Sequence, residues 1–176
     1  MYSQFSRLAE FIARTLALAG GFLLLGIIVL TCVSIIGRAL VPLDIGIGSI
    51  RGIYDITEIG MAAAIFAFLP WCQFNRGHAS VDLFEPEFPL KMNNSLNLLF
   101  DSAMFVVAAV GTWRLYLGML DKLSYGETTL IAQIPVWQGF AASLVGAIGF
   151  VLVAAFCMIR SARILFGHGV EENAYV

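Results

Sequence analysis

The chain has 176 residues, 60% of them hydrophobic and 12% charged, with a formal net charge of -2 and a mean hydropathy of +0.88. A soluble domain of this size does not carry so apolar a composition, so the chain reads as an all-α integral membrane protein, and the lack of a basic patch excludes nucleic acid as a partner. The net charge itself says little, because in a membrane protein the placement of charge counts for more than its sum.

In chain order, residues 1–14 place Phe5, Leu8 and Ile12 at helical spacing among Gln4, Arg7, Glu10 and Arg14. That is the pattern of a short amphipathic helix at the membrane surface, with a charged lead-in to the first span as the competing reading. The first span covers residues 15–36. Its apolar run is longer than the roughly 7–15 residues of a signal-peptide core, and Gly37-Arg38 offers no small-x-small cleavage site, so the span is read as retained. Ala13, Ala17 and Gly21 form a small-residue stripe that would let another helix approach closely. Residues 37–52, with Arg38, Pro42, Asp44 and Arg51, are too polar to span.

The second span, residues 54–74, carries one carboxylate, Glu58, near its start, and has about the length a helix needs to cross a bilayer. Arg51, Asp55 and Glu58 share one side of the helix entrance. The span stops against the polar turn Asn75-Arg76-Gly77-His78-Ala79-Ser80-Val81-Asp82. In the next connection Pro86 and Pro89 break any long helix, and Pro89 suits the first turn of the next one. The third span, residues 96–119, has Asp101 near one end, where it reads as reaching interfacial water, and Arg114 near the other. A loop over residues 120–134 precedes the fourth span, residues 135–159, in which Gly139, Ser143 and Ala147 form a second small-residue stripe. Residues 1–166 thus read as one four-helix membrane domain and residues 167–176 as a disordered tail.

Basic residues set the expected orientation. One side collects Arg7, Arg14, Arg76, Lys91, Arg160 and Arg163, the other Arg38, Arg51 and Lys122, with Arg114 as a fourth if it reaches the interface, which places both termini and the Arg76 turn in the cytoplasm. Tyr54, Trp113, Tyr116 and Trp137 then fall at the outer ends and Trp71 near the inner one, as interfacial belts require. Cys32, Cys72 and Cys157 lie in apolar spans without paired spacing, so neither a disulfide framework nor a metal site is indicated.

The chemistry available is sparse. A carboxylate inside a bilayer costs roughly 2.5–3.5 kcal/mol on insertion scales, so Glu58 needs water, a partner or a function. Glu58 and Arg114 each lie about five residues inside the outer ends of their spans, so equal depth predicts a structural ion pair or close polar contact between them. At the turn, Gly77 in the left-handed cap conformation and Arg76 on the last carbonyls account for the helix end and leave His78, Val81 and Asp82 unexplained by capping; the turn as a whole is expected to anchor the cytoplasmic end of the second helix, against the third helix or a partner. His78 and Asp82 alone do not make a metal site. No histidine lies within a span to ligate haem, and no nucleotide-binding loop, nucleophile elbow or zinc motif appears. No cofactor and no enzymatic activity are expected.

Four spans, a glutamate early in the second, Arg76-Gly77-His78-x-x-Val81-Asp82 at its end, and Thr128-Thr129-Leu130 with Ile134-Pro135-x-Trp137 before the fourth together resemble the small membrane subunit of tripartite ATP-independent periplasmic (TRAP) transporters, the DctQ-like family. The likeness runs from about Phe5 to Arg163; the turn departs from the family in having a single glycine. The resemblance implies a multi-pass protein of the bacterial or archaeal inner membrane, and a sodium-driven system in which a periplasmic solute-binding protein delivers an organic anion, such as a dicarboxylate or sugar acid. The large membrane subunit would carry the transport sites, and this chain would act as a scaffold embedded beside it in the lipid bilayer. Exposed Asp121, Lys122 and Glu127 in the outer loop are then the expected contacts with the periplasmic partner. The alternative is an autonomous dimeric four-helix exporter with Glu58 as coupling carboxylate. Exporters of that kind place the acid in the first span, which here has no charge between Arg14 and Arg38.

Overall fold

The computed structural model describes residues 2–41, 52–77 and 90–165. The expectations for His78, Asp82, Arg51, the Pro86 and Pro89 connection and the C-terminal tail lie outside the described residues. Four α-helices carry the spans: α1 Tyr2–Leu40, α2 Ile53–Phe74, α3 Leu90–Tyr125 and α4 Val136–Leu165. All four are long and apolar enough to cross a membrane.

Two boundaries differ from the sequence reading. The amphipathic stretch at the N-terminus is not a separate helix but the first turns of the 39-residue α1, because nothing between Arg14 and Thr15 breaks helical geometry. At the other end α3 continues past Met119 to Tyr125. No glycine or proline interrupts residues 119–125, and the stop comes at Gly126 with φ 63, where a left-handed residue ends the helix cheaply.

The helices form an extended layer rather than a closed bundle. α4 packs along both α2 and α3, α1 packs on α2 and touches α4 more lightly, and α2 and α3 make few direct contacts. The α1–α2 seam is a heptad: Ala13, Gly20, Ile27 and Ser34 are buried on α1, and Ile53, Gly60 and Ala67 on α2. Gly20 faces Ala67 and Ala64, whereas Gly60 leaves the space that the Ile27 side chain fills. Of the expected α1 stripe, Ala13 lies on this line, whereas Gly20 takes the place expected of Gly21. Gly21 has nothing within 4 Å, since a 100° turn of the helix separates it from the buried line.

The α2–α4 seam is closest at Gly146. A Cβ there would lie 2.6 Å from the Phe66 carbonyl carbon and 2.8 Å from the Ala67 nitrogen. The reason lies in α2: Pro70, inside the helix and fully buried, cannot donate to the carbonyl four residues earlier, which belongs to Phe66. α4 therefore presses its bare backbone onto the group that proline leaves unbonded, the kind of cover a broken helix needs in lipid. Of the expected α4 stripe, Gly139 meets Ile59, and Ser143 and Ala147 are buried. Together the Gly139–Ile59, Gly146–Phe66 and Gly149–Pro70 pairs show α2 and α4 running parallel. α3 runs antiparallel to α4, with Gly118 beside Phe140 and the Thr112 hydroxyl donating to the Ala147 carbonyl at 3.3 Å.

Candidate functional site

Polar chemistry gathers at the two ends of the helix layer. At the end where α2 stops, Gly77 N–H donates to the Cys72 carbonyl at 2.8 Å and Arg76 N–H to that of Gln73 at 3.2 Å, a Schellman closure of the helix. The left-handed residue in it is Arg76, with φ 50, not Gly77 as the sequence suggested. A non-glycine residue in this conformation costs about 1–2 kcal/mol. What holds it is its side chain: the Arg76 guanidinium donates to Ser161 Oγ at 3.0 Å and lies 3.7 Å from Asp101 Oδ2.

Asp101 is the centre of this cluster. It is buried, accepts from Gln73 Nε2 at 3.1 Å and accepts a short bond from the Ser161 hydroxyl. The carboxylate thus joins α2, α3 and α4, and the expectation that Asp101 reaches interfacial water is corrected. The sequence signal was available: Gln73 and Asp101 stand near the same end of consecutive antiparallel spans, as polar groups that lipid leaves without other partners.

At the opposite end, residues 127–136 form a small hairpin. Thr128 bridges Pro135, Thr129 N–H donates to the Ile134 carbonyl at 2.9 Å and Val136 N–H to that of Glu127 at 3.0 Å. Its tip folds back onto α2, where Asp55 Oδ2 accepts from the backbone N–H of Ala132 at 2.8 Å and of Ile131 at 3.1 Å. Gly52, at φ 79, receives the tip, because a Cβ there would lie 2.5 Å from that of Ala132. The latch leaves Leu130 97% exposed. Asp55 appeared in the sequence only as one member of a charged helix entrance; its loop partner, 76 residues away, left no local signal.

Glu58 and Arg114 are not brought together. Among the described residues the ion pairs are Arg76–Asp101 and Lys122–Glu127, and both Glu58 and Arg114 are exposed on the outside of the layer. The expected match in depth fails because α3 runs on to Tyr125. Arg114 lies between Thr112, which meets Ala147, and Gly118, which meets Phe140, so it is level with about Val145 on α4 and Ile65 on α2. Glu58 is about one turn inside the Asp55 latch, whereas Arg114 is roughly 10 Å deeper.

Asp121 and Lys122 fall on the last turns of α3 rather than in the loop. Lys122 Nζ pairs with Glu127 at 2.6 Å, and Asp121 is exposed. A cleft of about 280 Å³ opens between α1 and α2 at this end, lined by Ser34, Arg38 and Tyr54 among others. The hydroxyls of its Thr31 and Thr57 are turned back onto their own helices, donating to Ile27 and Ile53 carbonyls. Among the described residues no group of three His, Cys, Asp or Glu side chains is placed to hold a metal ion.

Four membrane-length helices, with buried Gln73, Asp101 and Ser161 bonded to one another across three of them, define a multi-pass membrane protein. The profile of the family described as "Tripartite ATP-independent periplasmic transporters, DctQ component" matches residues 27–167. The chain belongs to that family, and is therefore a membrane component of a TRAP transporter rather than a member of an enzyme family. No curated protein and no solved structure matches the chain.

Proposed function

We propose that the chain is the scaffold subunit of a sodium-driven importer of an organic anion, of the dicarboxylate or sugar-acid kind, which a periplasmic solute-binding protein delivers to the large membrane subunit. The observation that carries this reading is the family match over residues 27–167. The helix layer supports it: Asp101, Gln73, Ser161 and Asp55 are engaged in structural bonds, and an open layer with broad apolar faces suits a chain that widens another protein. The same features disfavour the autonomous exporter, whose coupling carboxylate, Glu58, lies exposed near one end of its span.

The chain sits in the inner membrane with both termini in the cytoplasm. Arg7, Arg14, Arg76, Arg160 and Arg163 lie at one end of the layer and Arg38 and Lys122 at the other, an asymmetry that supports this orientation. The Asp55 hairpin then faces the periplasm and presents Asp121, Lys122 and Glu127 toward the solute-binding protein. Arg76, Gly77, His78 and Asp82 are assigned the anchoring of the cytoplasmic end of α2.

The test is uptake by cells of a panel of dicarboxylates and sugar acids, with and without a sodium gradient. Deleting this chain alone, with the large subunit and binding protein still produced, abolishes sodium-dependent uptake of the transported solute. Uptake that survives the deletion overturns the scaffold role.

A further inference from the structure

Arg114 is a charged side chain that the proposed architecture leaves without an explanation inside this chain. It is exposed on α3 and makes no hydrogen bond or ion pair with any described residue. It lies 11 residues from Tyr125, where α3 ends, and 13 from Asp101, in the polar cluster at the other end, so it stands about 16 Å and about 20 Å from the two polar levels. On the Tyr125 side the nearest charged side chains of α3, Asp121 and Lys122, are still about 10–12 Å away along the helix, so Arg114 starts inside the apolar layer. An arginine stem lets its head reach toward an interface only from near a helix end, and lipid is a poor cover for a guanidinium at this depth.

The surface around Arg114 is built for a close neighbour. Val107, Val110 and Leu117 are exposed on the same face at helical spacing. Gly111, one turn away, has nothing within 4 Å, so a second helix can approach the α3 backbone there.

We infer that the α3 face centred on Arg114 is the seat of the large membrane subunit, which presents a carboxylate or the free carbonyls of a broken helix to the guanidinium inside the apolar layer. This deepens the scaffold reading and rests on it. Charge complementarity selects the occupant. A second copy of this chain would meet the first across a twofold axis with arginine facing arginine. It also offers no acid at the right level, since Asp101 is buried at one end and Glu58 lies nearer the other.

The experiment is site-directed photocrosslinking in native membranes, with benzoylphenylalanine in place of Val110 or Leu117, beside co-purification of Arg114 variants with the large subunit identified by mass. Both probes crosslink to the large subunit. Arg114→Glu lowers recovered large subunit by roughly tenfold or more, as for reversal of one member of a desolvated charge pair, whereas Arg114→Lys stays within about twofold. The chain itself remains at its normal level and elution volume. Crosslinks only to lipid or to a second copy, or full recovery with Arg114→Glu, overturn the assignment while leaving the scaffold role standing. Failure of the unaltered chain to recover any large subunit overturns the scaffold role itself.

Discussion

Replacing Arg76 by glycine sets two effects of opposite sign against each other. Arg76 occupies a left-handed position, φ 50, so glycine there relieves about 1–2 kcal/mol of backbone strain. The same change removes the guanidinium beside the buried Asp101 carboxylate. Breaking a buried ion pair costs about 3–5 kcal/mol, but Arg76 is 33% exposed and 3.7 Å from its partner, so about 3 kcal/mol is the better figure, since a partly exposed pair is worth less. The net expectation is a loss of about 1–2 kcal/mol, or a fall in melting temperature of roughly 3–6 °C for a chain of this size. Thermal unfolding of the detergent-solubilised chain, followed by size-exclusion fluorescence, reads it. The decisive variant is the double change Arg76→Gly with Asp101→Asn. With no carboxylate left to compensate, only the strain relief remains, so the double variant melts above Arg76→Gly alone. If the two losses simply add, Arg76 does not serve Asp101 and the account of the cluster is wrong.

Other parts of the structure make separate demands. Asp55→Ala strips the acceptor from the Ile131 and Ala132 amides, and their hydrogen exchange rises roughly tenfold or more while α2 and α4 stay protected; unchanged exchange would show that the hairpin holds itself. Gly146→Ala forces α4 off the Phe66 carbonyl and destabilises the chain by about 1–3 kcal/mol, while Gly26→Ala, with nothing within 4 Å, leaves the chain as stable or raises its stability by up to about 1 kcal/mol through helix propensity; equal losses in thermal melts would contradict the seam. Combining Asp121→Lys with Lys122→Glu and Glu127→Lys keeps the 122–127 pair with its signs exchanged and alters the face it shows. Uptake at limiting binding protein then falls with the complex recovered intact, and unchanged uptake removes these residues from docking.

The four spans were legible because hydropathy is a long-range average that a single sequence carries in full. What escaped was set by contacts. Asp55 and Asp101 are ordinary acids near helix ends until distant residues, the Ala132 amide and the Ser161 hydroxyl, are brought to them. The Glu58–Arg114 pair failed for a local reason: polar residues 121–125 looked like loop, yet contain nothing that stops a helix, and the six added residues carry Arg114 away from the level of Glu58. The small-residue stripes were found but misphased by one position at Gly21. Spacing shows that close packing is possible, while only the neighbour, here Ala67 at Gly20 and Phe66 at Gly146, fixes the face that is used. Arg76 shows a different limit. Propensity assigns the left-handed cap to the nearby glycine, and a tertiary ion pair overrides it.

Native mass spectrometry of the tagged chain, released from its own membrane in mild detergent, shows whether the chain is built into a larger membrane complex. The expected species has the mass of one 19.1 kDa chain plus one much larger polytopic subunit, and releases both components on activation. A monomer or a homodimer with no such partner would contradict the scaffold role.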